Sequence, residues 1–360
     1  MKVLENIKWN DWHWQSSNSY IDGNSYVHGI DNYFKMKISP YYYNLIDSND
    51  VNCPIKKQAI PSDHELKCMG NEYKKYGIDI HDSLAEENLS PVANLVHRYP
   101  DRVLMIVTNN CFTFCRFCTR KRIMSEQDTN FNVNNALDYI SANKNIRDVL
   151  ISGGDPLTLE DEQLEEIICK LRKIQHVKII RIGTRAPVVM PMRITNKLVN
   201  ILKKYHPIWI NTHFNHPKEI TEESAKVCRK IIDAGIPLGN QSVLLRGVND
   251  NIDILKELFL KLAENRVRPY YLYQCDLGSG IDHFRTKVKS GIDLIRGLRQ
   301  HISGLAIPTY VIDAPNGGGK IAVNPDYIID KTREKIVLQN SKGNLYVYPE
   351  IIENEKEKSG

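Results

Sequence analysis

Six short apolar runs rich in β-branched residues, each followed by an amphipathic stretch, constrain this chain more tightly than any other feature. They are Val103 to Thr108, Asp148 to Ser152, Ile179 to Thr184, Ile208 to His213, Leu238 to Leu244 and Arg268 to Tyr273. Runs of this kind predict strands buried in a parallel sheet. The segments between them carry helical spacing: Leu164, Ile167, Ile168 and Leu171; Leu198, Val199, Ile201 and Leu202; the stretch Ile252 to Ala263. Thr158, Thr195 and Thr221 stand where helix N-caps belong, the last followed by Glu222 and Glu223 in the first turn. A strand-then-helix alternation repeated six times requires right-handed parallel crossovers. The core is therefore a doubly wound sheet or a (β/α) barrel, between which spacing alone does not choose.

The flanks read differently. Residues 1–95 are polar, aromatic-rich and irregular, with turn formers at Asp22-Gly23-Asn24 and Asp47-Ser48-Asn49-Asp50, and predict a mostly helical, loop-rich region ahead of a core at 96–313. In the C-terminal segment, 314–360, Lys335 to Leu338 and Leu345 to Tyr348 flank Asn340 to Asn344 as a β-hairpin, and Glu353 to Gly360 form a charged, frayed end. With 42% hydrophobic and 25% charged residues, the 360-residue chain reads as one soluble domain with appendages. A net charge of +5 gives no case for nucleic-acid binding. The first residues lack a signal-peptide core and no eighteen apolar residues run together, so the expectation is a cytoplasmic protein with no membrane partner. The eight cysteines are then reduced thiols or metal ligands.

Three of them, Cys111, Cys115 and Cys118, form a C-x3-C-x2-C run directly after the first predicted strand. Three thiolates on one loop can hold three irons of a 4Fe-4S cube and leave the fourth open to a small ligand. A zinc knuckle borrowing a distant fourth ligand, or three unrelated thiols, are the other readings. Phe117 precedes the last cysteine, and Ser152-Gly153-Gly154-Asp155 follows the second predicted strand. The combination resembles the radical S-adenosylmethionine superfamily. There the open iron is chelated by the amino and carboxylate groups of S-adenosylmethionine, and one electron from the cluster cleaves it to a 5′-deoxyadenosyl radical. The resemblance puts Ser152, Gly153, Gly154 and Asp155 beside that ligand's amino group.

Six further stretches, His97 to Arg102, Ile182 to Val188, Asn211 to Pro217, Gly239 to Asp250, Arg268 to Asp276 and Asp313 to Lys320, resemble one family, the lysine 2,3-aminomutases. The resemblance implies a partial (β/α)6 barrel of TIM type with its active site at the carboxyl ends of the strands, and pyridoxal phosphate linked to Lys320. It implies that Arg98, Tyr99, Arg102 and Tyr273 hold that cofactor, and that His213 and Gln241 line the S-adenosylmethionine site. Arg120 would take the substrate carboxylate as a fork-to-fork pair, and Asp276 and Asp313 would embrace the far ammonium of a free basic amino acid. L-lysine is the first choice there, with arginine and ornithine as alternatives, because relatives acting on glutamate replace these aspartates. The product would be L-β-lysine.

Two departures from the family pattern stand out. Where the clostridial form has a zinc-binding cysteine in the barrel this chain has Asn251, and no cysteine follows Cys275, so no zinc is expected. Asn316 stands where a glycine is common, and a residue tolerant of positive φ there predicts that the turn before Lys320 survives. The expected partners are an electron donor such as flavodoxin or ferredoxin and further copies of the chain, as a dimer or tetramer. Rival readings are a relative supplying β-lysine to elongation factor P and a non-enzymatic iron-sulfur or zinc protein.

Overall fold

The computed structural model describes residues 10–19, 35–67, 70–124 and 131–351. The Asp22–Asn24 turn and the end Glu353–Gly360 lie outside them. The strands follow in chain order: β1 Leu95–Tyr99, β2 Arg102–Ile106, β3 Asp148–Ser152, β4 Ile179–Gly183, β5 Ile208–Thr212, β6 Leu238–Leu244, β7 Arg268–Gln274, β8 Thr309–Ala314 and β9 Gly319–Ala322. All nine form one sheet in sequential order. From β2 to β8 every neighbour is parallel, with a helix in each of the six crossovers; β1 and β9 run antiparallel at the two ends. This is a partial (β/α)6 barrel extended by β8. The barrel, not the doubly wound sheet, is what the alternation encodes.

The expected strands all form, yet they are not buried on both faces. In β3, β4 and β5 burial alternates, so Val149, Ile151, Ile180, Ile182, Ile208 and Ile210 pack in the core with the helices. The opposite residues, among them Leu150, Arg181 and Asn211, line an internal cavity. The barrel interior is left open, which the apolar runs alone could not reveal. Thr195 and Thr221 cap the helices Asn196–Lys204 and Glu222–Asp233 as expected. Thr158 does not cap the helix Asp161–Lys173. Glu160 does, in a reciprocal box with Gln163, while Thr158 ends a 3-10 turn and donates to the Asp155 carbonyl at 2.8 Å. Asn251 caps the helix Ile252–Glu264, accepting from the N–H groups of Asp253 and Ile254.

The barrel does not close by strand pairing. Its two ends meet through side chains instead. Arg98 of β1 donates to Asp313 of β8 at 2.7 Å, and the Tyr99 hydroxyl accepts the backbone N–H of Lys320 in β9 at 2.9 Å. Beyond β9, β10 Ile328–Lys331, β11 Lys335–Gln339 and β12 Leu345–Pro349 make a separate three-stranded sheet, in which β11 and β12 are the expected hairpin.

The N-terminal residues form short helices, Trp12–Ser17, Pro40–Tyr43, Pro54–Ala59 and Gly70–Lys74, and strap the loop after β2. The Phe114 and Arg116 N–H groups donate to the carbonyls of Lys37 and Gln58, both at 2.8 Å. The fully buried Arg116 side chain reaches Glu65 and the Lys35 carbonyl. On the other side, the Gly154 N–H meets the Thr108 carbonyl at 2.6 Å and the Asp155 N–H meets that of Asn110 at 2.7 Å. Gly153 has φ +136°, and a Cβ on Gly154 would lie 2.1 Å from the Asn110 carbonyl oxygen. The glycine pair is thus a docking surface for backbone, which no side chain could share. Gly154→Ala should cost about 1–3 kcal/mol through overpacking and lower the iron retained after reconstitution. Gly304→Ala, where a Cβ meets nothing within 4 Å, should leave both melting temperature and iron content at parental values.

Candidate active site

The barrel encloses a cavity of about 830 Å³. Every residue nominated from the sequence, from Cys111 to Lys320, lies on its wall. Many of these side chains keep partial exposure because they face the cavity while protein surrounds them otherwise.

At one end are Cys111, Cys115 and Cys118, all unpaired with other cysteines. Burial, followed by the charge of Asp155, pushes the Cys111 thiol well above its ordinary range; burial and the neighbouring Cys115 push Cys118 up to about 11. A bound metal would supply the positive charge these sulfurs lack. Among the described residues no three His, Cys, Asp or Glu side chains converge where one ion could sit. A cube needs no such convergence, because each thiolate takes a different iron. Ser152 and the glycine pair flank the loop. Asp155 is saturated: it accepts from the Thr184 hydroxyl at 2.7 Å and from the N–H groups of Leu157 and Arg185 at 3.0 and 2.8 Å. Its visible task is to tie β3 to β4. His213, after β5, packs 5.4 Å from the Phe117 ring, and burial together with the Arg185 charge holds its pKa down at about 3. Its Nε2 is buried without a partner.

At the other end stands Lys320. Asn316 adopts φ +56° and Gly317 and Gly319 +81° and +80°, so the turn before Lys320 keeps the left-handed geometry expected of it. Lys320 Nζ lies 3.0 Å from Asp313, whose other oxygen takes Arg98. Tyr273 lies beneath Lys320, 5.7 Å from ring centre to Nζ, and the Arg102 guanidinium stacks 3.8 Å over the Tyr99 ring. Arg98 also donates to the Leu84 carbonyl, but its Nε is buried without a partner. Asp276 differs from Asp313. Among the described residues no hydrogen bond or ion pair reaches its carboxylate. Burial, reinforced by the charge of Asp313 and only partly offset by Lys320 and Arg98, lifts its pKa from 3.8 to about 7.

Arg120 is not free for a fork-to-fork pair. Its Nε and Nη2 already donate to Glu86 at 2.6–3.0 Å, which leaves Nη1, 3.5 Å from the Ser152 hydroxyl. Burial opposes a charged Glu86, yet Arg120 and Arg122 prevail and hold its carboxyl down at about 2.

The Radical SAM superfamily profile matches residues 105–258 and the Lysine-2,3-aminomutase profile residues 295–360. The chain is 51% identical to L-lysine 2,3-aminomutase of Clostridium subterminale, over 98% of this chain and 86% of that protein. The chain belongs to the lysine 2,3-aminomutase family. A second member, L-lysine 2,3-aminomutase of Fusobacterium nucleatum, is 49% identical over 95% of this chain and 83% of its own. A third, glutamate 2,3-aminomutase of Clostridioides difficile, is 41% identical over 94% of this chain and 82% of its own. The lysine enzymes match this chain at higher identity than the glutamate enzyme does.

Two wall residues were invisible as site residues in the sequence. Glu86 lies outside every family stretch quoted above. Arg185 lies inside one, but nothing in its spacing indicates that it reaches Cys115, to which its Nη1 donates at 2.8 Å.

The raised Asp276 pKa fixes the sign of a pH effect. Its protonated form contributes stability below the unfolded value near 4, and that contribution is lost as pH rises through about 7. Asp276→Asn cannot titrate, so its stability relative to the parent should improve between pH 5 and pH 8, measured by urea unfolding without substrate. A difference constant across that range would refute the assignment.

Proposed function

We propose that the chain moves the α-amino group of L-lysine to C3, giving L-β-lysine, with pyridoxal phosphate on Lys320 and a 4Fe-4S cluster on Cys111, Cys115 and Cys118. Radical SAM enzymes use S-adenosylmethionine and such a cluster, and this chain carries that domain. The observation that carries the substrate is Asp276. A carboxylate lining a cavity with no cation paired to it, and with a second carboxylate nearby that Lys320 and Arg98 offset only in part, asks for a ligand cation. The distal ammonium of lysine supplies one, whereas the side chain of glutamate would add a third negative charge.

The wall also suits the cofactors. Three reduced thiols on one loop suit the cluster, and the orphaned His213 Nε2 is a polar atom awaiting a partner. Lys320 offers an amine next to Tyr273, and Arg98, with its unpartnered Nε, suits an anionic group. When bound, pyridoxal phosphate supplies a carbonyl carbon for the migrating nitrogen and a ring that delocalises the unpaired electron. A cluster held by Cys111, Cys115 and Cys118 would supply one-electron chemistry, and S-adenosylmethionine beside it the hydrogen-abstracting group. The residues of this chain do the rest. Arg120 Nη1 holds the substrate carboxylate, and Asp276 with Asp313 holds the far ammonium. Gripped at both ends, lysine presents its α and β carbons at fixed positions between the cysteine loop and Lys320. Asp313 also receives the Lys320 ammonium whenever that amine is free. A low-potential flavodoxin or ferredoxin would deliver the electron. No described helix is long and apolar enough to cross a membrane.

Reduced, reconstituted enzyme should convert lysine and leave arginine, ornithine and glutamate largely untouched; preferred turnover of any of these three would overturn the substrate assignment. Borohydride reduction followed by peptide mapping should place the pyridoxyl group on Lys320, and its appearance on another lysine would refute the cofactor assignment.

Asp276→Asn should still bind pyridoxal phosphate and hold four irons. Its lysine turnover should fall by roughly two to four powers of ten, the effect of removing one member of a buried charge pair at ~3–5 kcal/mol. Turnover within a factor of about three of the parent, below 1 kcal/mol, would sink the basic-substrate reading.

A further inference from the structure

Arg185 follows β4 and is buried. All three guanidinium nitrogens are engaged. Nε donates to the His213 carbonyl at 3.2 Å, and Nη2 to Glu219 and Gln58 at 2.7 Å and to the Tyr42 hydroxyl at 3.0 Å. Nη1 is left for Cys115 Sγ. Glu219 is itself fully buried, held by the N–H groups of Asn215 and His216 at 2.6 and 2.9 Å and by the Tyr42 hydroxyl at 2.5 Å. A fixed cation thus touches one sulfur of the cysteine triplet, and a fixed carboxylate sits on the far side of that cation. Glu219 is fully buried and Arg185 nearly so, so water screens the pair weakly.

We infer that Arg185 and Glu219 set the reduction potential of the cluster: Arg185 donates a charge-assisted hydrogen bond to the Cys115 sulfur, and Glu219 attenuates its charge. This rests on Cys115 being a cluster ligand. Adding one electron to the oxidised cube increases negative charge on its sulfurs, and a donor aimed at a ligand sulfur stabilises that reduced state. Arg185 therefore raises the potential and Glu219 lowers it. A positioning role that served only the fold gives no reason for the two to act in opposite directions.

The test is an anaerobic redox titration of the reconstituted full chain without S-adenosylmethionine, with the reduced cluster followed by electron paramagnetic resonance. Arg185→Gln should lower the reduction equilibrium constant at least tenfold, a fall of 59 mV for one electron. Glu219→Gln should raise it, and Arg185→Lys, which keeps the charge, should stay nearer the parent than Arg185→Gln. Potentials that do not move, or that move the same way in the Arg185→Gln and Glu219→Gln variants, would overturn the inference. So would a parental potential in Arg185→Gln combined with lost S-adenosylmethionine binding, which would assign Arg185 to that ligand. Should Arg185→Gln not retain iron, Glu219→Gln decides by its sign alone. Four irons retained in Cys115→Ala would instead defeat the ligand reading beneath the inference, and that outcome is distinguishable from the others.

Discussion

The buried contact between Arg98 and Asp313 holds the site together. The sheet has two ends that no backbone ladder joins, and this ion pair, with 9% and 8% of its side chains exposed, bridges them. Tyr99 adds a second bridge by accepting the Lys320 N–H. Because β1 leads into β2 and the cysteine loop, while β9 carries Lys320, bridging the ends fixes the distance between the cysteine loop and Lys320. A fully hydrogen-bonded seam would have filled this place with backbone. Side chains leave the cavity open here and keep Lys320 accessible.

That arrangement forces an electrostatic economy on the wall. Arg120 is compensated by Glu86, Arg185 by Glu219, and Asp313 by Arg98 and Lys320. Such pairs add little net stability over apolar packing, but losing one partner strands the other in a medium that solvates it poorly. Asp276 alone lacks a compensating group among these carboxylates. Its pKa near 7 expresses that lack, and the far ammonium of the proposed substrate would remove it. On that reading selectivity is the completion of a charge pattern more than a matter of shape.

How much of this was legible in the sequence depends on the kind of signal. Six of the seven parallel strands, β2 to β7, announced themselves because β-branched apolar runs are locally distinctive, whereas β8, Thr309–Ala314, was not among the expected strands. Strand β1 did not, since Leu95-Val96-His97-Arg98-Tyr99 spends its second half on polar residues that serve the cavity. Strand β9, four residues long and mostly exposed, carries no apolar pattern at all. The misassigned cap at Thr158 has a similar cause: the intervening 3-10 turn shifts the helix start to Asp161, a displacement that residue preference cannot register. Cavity residues such as Cys111, Asp276 and Lys320 were legible through motif resemblance. Glu86 was not, because a carboxylate that neutralises an arginine from 34 residues away leaves no local spacing to read.

The N-terminal segment shows why reading it as a flanking region undersells it. Lys35, Lys37, Gln58 and Glu65 all bond to the cysteine loop or to Arg116 within it, and Lys37 Nζ reaches Asn110 at 2.6 Å. Trp12 packs edge-on against Phe112, 6.1 Å between centroids. The cysteine loop has little regular structure of its own, so its conformation is imposed from two sides: by the glycine pair that follows β3 and by this strap. Tyr42 and Gln58 of the strap also hold Arg185 against Cys115. On the proposed ligation the three thiols would have to stay ordered while the cluster is reduced, and a loop held only by the barrel would have to supply that order by itself. The segment outside the barrel is therefore part of what shapes the cysteine loop, and its short helices are spacers that deliver a few backbone carbonyls and side chains to it.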